Sequence, residues 1–173
     1  FLIKTGNFEF LNNKLIVDSF NATFANTPLF LKGSVDSVTK NPKFDIYFTS
    51  KLSKDFVDNY INTNLSYPIN VKGEVLLSSN IKGTKNEINI YPSVRLEEGA
   101  DISYMGANFG DENSIREIKG QLVFSPQKFI VKNLDYFKYI YSQNNRLYPI
   151  SLVNIKSEIL MKKKVFINYL NIK

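Results

Sequence analysis

Apolar and polar residues alternate with a period of two through almost the whole chain, and this alone limits the fold to a sheet protein. In residues 43–50, Phe44, Ile46 and Phe48 fall on one face while Asp45 and Thr49 fall on the other. From Ile69 to Leu77, the residues Ile69, Val71, Gly73, Val75 and Leu77 point one way, with Asn70, Lys72 and Glu74 opposite. The same alternation marks Leu29/Leu31/Val35, Ile88/Ile90, Leu122/Phe124, Phe129/Val131 and Val165/Ile167/Tyr169. It is the pattern of half-buried antiparallel strands. Turn-forming residues separate them at Asn12-Asn13, Asn26-Thr27-Pro28, Lys40-Asn41-Pro42, Gly83-Thr84-Lys85-Asn86, Ser125-Pro126 and Gln143-Asn144-Asn145. One segment departs from the rule. Leu52, Phe56, Val57, Tyr60 and Ile61 make a single stripe at helical spacing, with Ser53 placed to cap the first turn. The expectation is roughly ten to twelve strands and one short amphipathic helix over 52–64.

Each strand has one apolar face that something must cover, and one short helix cannot cover ten strands. That leaves a sandwich, a barrel, or a curved open sheet whose apolar face holds an apolar ligand. No linker rich in Pro, Gly or Ser divides the chain, so it reads as one continuous sheet. The stretch from Gly6 to Asp18 is matched 114 positions later, from Gly120 to Lys132, without a gap. Gly6/Gly120, Phe10/Phe124, Lys14/Lys128, Ile16/Ile130 and Val17/Val131 are identical. The repeated unit is strand, turn, strand.

The chain has no His and no Cys. That excludes triad nucleophiles, Cys/His zinc sites, iron–sulfur clusters and disulfides. The adjacent acidic pairs Glu97-Glu98 and Asp111-Glu112 point to opposite faces if they lie in strands, which suits no two-carboxylate glycosidase. Nothing here forms a catalytic constellation, so the chain reads as no enzyme, with no metal or cofactor. Charge is unevenly spread: residues 1–113 carry a net of −2 and residues 114–173 a net of +8, densest at Lys162-Lys163-Lys164. Such a segment suits phosphates of lipid headgroups or nucleic acid, or forms a solvated face. Tyr136, Phe137, Tyr139 and Tyr141 beside Lys132 and Lys138 could line a core or stack bases. No run of eighteen apolar residues is present, and the opening Phe1-Leu2-Ile3-Lys4 reads as an excised piece of something longer.

The stretch from Ala22 to Asp36, with a polar turn before Pro28 and a strand through Gly33, resembles a recurring phrase of the AsmA-like family. Phe44 to Phe56 resembles that family's strand running into a short helix, and Ile102 to Gly110 followed by Ile118 to Leu122 its next strand pair. This family is similar to the bridge-like lipid transfer proteins. The resemblance implies a curved, twisted antiparallel sheet forming an open groove, with residues 1–173 as one internal segment in sub-repeats of about 1–64 and 65–173. It further implies conduction of phospholipid between the inner and outer membranes of a diderm bacterium. The location would be periplasmic, with an anchor in the inner membrane outside this segment and no nucleic-acid partner. On that reading Phe44, Ile46, Phe48, Ile69, Val71, Val75 and Leu77 line the groove for acyl chains, and Lys162, Lys163 and Lys164 meet headgroups. The alternative is a structural or adhesive β-domain of a cell-envelope protein, as a sandwich or barrel segment.

Overall fold

A computed structural model describes residues 2–24, 26–126, 128–141, 147–162 and 165–172. The strands are β1 (Leu2–Leu11), β2 (Lys14–Phe24), β3 (Thr27–Asp36), β4 (Lys43–Leu52), β5 (Asn70–Lys72), β6 (Val75–Thr84) and β7 (Glu87–Leu96). They continue with β8 (Asp101–Tyr104), β9 (Ala107–Asn108), β10 (Arg116–Phe124), β11 (Lys128–Tyr141), β12 (Leu147–Lys162) and β13 (Val165–Ile172). Ten of them form one antiparallel sheet in the order β1-β2-β3-β4-β6-β7-β10-β11-β12-β13. The sheet is open: β1 and β13 each have a single neighbour and do not meet. The expected curved, open, mainly β architecture is therefore present, and a closed barrel is not.

Local chemistry sets the turns. Asn12 and Asn13 both take positive φ, at 50° and 63°, in the two-residue loop between β1 and β2. The backbone N–H of Phe56 donates to the Ser53 hydroxyl at 3.2 Å, as the capping position predicts. The helix begins at Lys54 rather than Leu52, which ends β4, and it is irregular. An α-turn over Lys54–Phe56 passes into a π-turn over Val57–Ile61 and a 3₁₀-turn over Asn62–Asn64.

The continuous strand expected from Ile69 to Leu77 is broken. Gly73 adopts φ +73°, and its α-carbon lies so close to Ala100 that a Cβ would stand 2.7 Å from that residue's backbone. The chain turns there. Residues before it enter a small three-stranded sheet, β5-β8-β9, and residues after it enter the main one. Ile69 and Val71 thus belong to a different layer from Val75 and Leu77, although alternation puts all four on one face.

That second layer is small. Together with the helical segment it seals a core of Leu52, Val57, Val75, Leu96 and Ala100, on which Ile69, Val71 and Ile102 pack. Leu52, Val75 and Leu96 are direct cross-strand neighbours at one end of β4, β6 and β7. A fully buried side chain of this size stabilises by about 1.5–3 kcal/mol. The core therefore clamps one end of the sheet, and among the described residues no second layer packs on the remainder of the same face.

The internal repeat has a structural counterpart. Thr5↔Asn21, Gly6↔Phe20, Asn7↔Ser19, Phe8↔Val17 and Phe10↔Leu15 in the first hairpin correspond to Lys119↔Asp135, Gly120↔Leu134, Gln121↔Asn133, Leu122↔Val131 and Phe124↔Phe129 in the second. Even the register shift recurs, after Asn7 and after Gln121. An extra residue bends a strand and increases its twist, so both hairpins curve the sheet in the same way.

Candidate functional site

Directly paired residues of an antiparallel sheet share a face, so the register reads out what each face carries. One cross-strand row runs Phe8, Val17, Gly33, Ile46, Ile81, Ile90, Leu122, Val131. The next row runs Phe10, Leu15, Val35, Phe44, Gly83, Ile88, Phe124, Phe129. Every position is apolar or glycine, across β1 to β4, β6, β7, β10 and β11. Stacked at ~4.8 Å per strand, these rows extend roughly 34 Å. The rings of Phe124 and Phe129 meet at 4.4 Å and those of Phe8 and Phe20 at 5.9 Å.

Where this face meets the helical segment, a cavity of about 470 Å³ opens among Phe24, Leu29, Phe48, Leu52, Phe56 and Leu77. Its polar wall groups are spent on the protein itself. The Ser50 hydroxyl donates to the Pro28 carbonyl at 2.7 Å, and the Thr27 and Ser53 hydroxyls bond each other at 2.6 Å. The wall is hydrocarbon in effect. Phe24, Phe56 and Tyr60 form an aromatic triangle with centroid separations of 5.9, 4.7 and 5.6 Å, fixing the helical segment to β2.

The opposite face mixes ion pairs and polar residues with apolar ones such as Phe30, Leu76 and Val123. Lys82 reaches Asp45 at 3.0 Å and Lys14 reaches Asp36 at 3.0 Å. A depression of about 550 Å³ crosses it between Lys4, Tyr47, Leu76, Arg95 and Glu117. It is larger than the cavity on the apolar face, and its wall mixes the charges of Lys4, Arg95 and Glu117 with the apolar groups of Phe30, Tyr47 and Leu76. At its β10 end Glu117 is almost fully buried. Burial pushes its carboxyl upward, but hydrogen bonds from Ser93, Tyr139 and Lys119 outweigh this and hold it below its usual value.

The predicted lining residues divide. Phe44, Ile46, Phe48 and Leu77 lie on the apolar face, partly buried, with Phe48 and Leu77 in the cavity wall. Val75 is on that face but fully buried in the core. Ile69 and Val71 pack on the core from the small sheet. Lys162 ends β12, and Lys163 and Lys164 lie outside the described residues. Tyr136 and Tyr139 of the aromatic run lie on opposite faces of the sheet. Tyr136 sits on the apolar face, edge-on to Phe109, while the Tyr139 hydroxyl donates to Glu117 behind the sheet.

Sequence reasoning missed a charged rim. Register places Leu96, Arg116 and Lys138 side by side at the end of the apolar face. Arg116 bonds Asp111 at 2.6 Å, and Lys138 stands 3.7 Å from the same carboxylate. The backbone N–H of Asn113 and the Arg116 guanidinium lower the Asp111 pKa to about 2. A depressed carboxyl stabilises the fold above its unfolded value, and that contribution is lost as pH falls through about 2. Asp111→Asn is therefore expected to lower the urea midpoint at pH 7, with the gap to the parent protein closing as pH approaches that value. No residue spacing signalled this rim; the Lys-Gly pairs of the main sheet at 32–33, 82–83 and 119–120 mark its two faces instead. Each puts a lysine on the ion-paired face and a side-chain-free notch in the apolar one. Among the described residues no group of His, Cys, Asp or Glu is arranged to hold a metal, and no helix is long and apolar enough to cross a membrane. No protein-family model, curated protein or solved structure matches the chain.

Proposed function

We propose that this chain is a non-enzymatic length of hydrophobic groove that holds phospholipid acyl chains and passes them between the two membranes of a diderm envelope. The observation that carries the reading is the pair of apolar rows, continuous over roughly 34 Å and without a second layer except at the helical end. That length is comparable to the ~30 Å hydrocarbon core of a bilayer. Burying an acyl methylene is worth ~0.8 kcal/mol, so a sixteen-carbon chain gains on the order of 12 kcal/mol against water. A membrane offers nearly the same, so exchange between groove and bilayer is close to neutral. Conduction needs that balance, because tight binding would trap the lipid. Lys138 at the rim, held only loosely by Asp111 at 3.7 Å, suits an anionic headgroup whose tails lie on the apolar face.

The alternative of a structural or adhesive domain needs the apolar rows filled by protein. Among the described residues only the helical segment and the small sheet pack there, and they reach one end. Protein purified from a membrane-containing host is expected to carry phospholipid detectable by native mass spectrometry, and to release it to acceptor vesicles. Lipid-free protein that also fails to extract labelled phospholipid from vesicles would refute the groove.

A further inference from the structure

We propose that the free edge of β1 takes up an antiparallel strand patterned like β7, with apolar residues at every second position. The argument comes from the repeat and does not depend on lipid binding. From Thr5 and Lys119 onward β1 and β10 are equivalent strands: each pairs with its hairpin partner in the same register, through the same shift. The second edge of β10 is occupied by β7, antiparallel, with Ile90 opposite Leu122, Asn89 opposite Val123 and Ile88 opposite Phe124. Among the described residues no strand pairs with the second edge of β1.

Carried back by the repeat offset, those three β10 positions are Phe8, Glu9 and Phe10. An incoming strand would set apolar side chains beside Phe8 and Phe10 and a polar one beside Glu9. At present Phe8 is 58% and Phe10 62% exposed, and every residue of β1 is exposed. Natural edge strands are kept from pairing by brevity, proline or charge. β1 is ten residues long with no proline; Lys4, set in a bulge between Ile3 and Thr5, guards its first end, but from Thr5 to Leu11 Glu9 is its one charge. From Thr5 onward the edge is shaped for a neighbour and lightly defended against one.

Hydrogen exchange of the intact chain, with and without a synthetic peptide of residues 86–97, tests this. The peptide is expected to slow exchange roughly tenfold across residues 2–11 while leaving β3 and β4 unchanged, and a scrambled peptide to do nothing. The double variant Phe8→Lys, Phe10→Lys should lose that protection while β6 and β7 exchange as in the parent, which shows the fold intact. No protection of β1, or equal protection by the scrambled peptide, overturns the proposal. So does protection that rises with protein concentration alone, which would give the edge to a second copy, or protection by phospholipid vesicles alone. Lipid loading and extraction are read separately on the same sample, so protein that binds the peptide but neither carries nor extracts phospholipid would sink the groove and leave this inference standing.

Discussion

Val75→Asp should unfold the protein, whereas Ile46→Asp should leave it folded but unable to load lipid. Both residues are apolar, both sit on the same face of the sheet, and alternation alone makes them equivalent. Val75 is fully buried among Leu52, Val57, Leu96 and Ala100, with no cation in that cluster to pair a new carboxylate. An unpaired buried charge costs several kcal/mol, against a total stability of about 5–15 kcal/mol for a typical domain. Ile46 is only partly buried and lies in a row that no second layer covers. A carboxylate there keeps part of its hydration, and the loss is about 1–2 kcal/mol of apolar burial. Its effect falls on the surface offered to an acyl chain. Urea denaturation and phospholipid content, measured on both variants, check the pair. Equal destabilisation of the two would mean that Ile46 too lies in a sealed core.

Gly33→Val is expected to destabilise the main sheet strongly. Gly33 lies opposite Val17 on one side and Ile46 on the other, at the bulge where β2 carries an extra residue. Its φ is +143°, and a Cβ would stand 2.1 Å from the Asp45 carbonyl oxygen and 2.8 Å from the Ile46 α-carbon. Those atoms are backbone and cannot swing away. Overpacking of about 1–3 kcal/mol and a backbone penalty of similar size add, giving a loss of roughly 3–5 kcal/mol. Gly99 provides the control. Its φ is +75°, but nothing lies within 4 Å of where its Cβ would be. Gly99→Ala should cost about 1 kcal/mol, from the backbone alone. Thermal unfolding of both variants tests the contrast. A mild Gly33→Val would mean that β3 can relax away from β4 without cost.

Much of the fold was legible from residue spacing. Alternation identified β3, β4, β7, β10 and β11 and assigned their faces correctly, because a strand's side chains must point to alternate sides whatever lies beside it. The Ser53 cap and the stripe of Phe56, Val57, Tyr60 and Ile61 were legible for the same reason: both depend on residues within a few positions of one another. The hairpin repeat was visible as matched glycines and aromatics, and its shared register follows from the same turn and strand lengths. The small sheet was not visible. Gly73 continued the alternation from Val71 to Val75, and its role as a break appears only where Ala100 comes close to it.

What the sequence by itself determined was therefore sidedness: which residues share a face, where the chain turns, and that one face would be largely apolar. Tertiary structure decided which part of that face is sealed and which is left open. Val75 and Ile46 differ only because the helical segment and the small sheet pack over one end of β4, β6 and β7. The Arg116–Lys138–Asp111 rim likewise exists because β7, β10 and β11 pair in one register. The physical reason is range. A strand's periodicity is written into neighbouring residues, whereas a covering layer depends on contacts between segments far apart in the chain, and no local pattern records them.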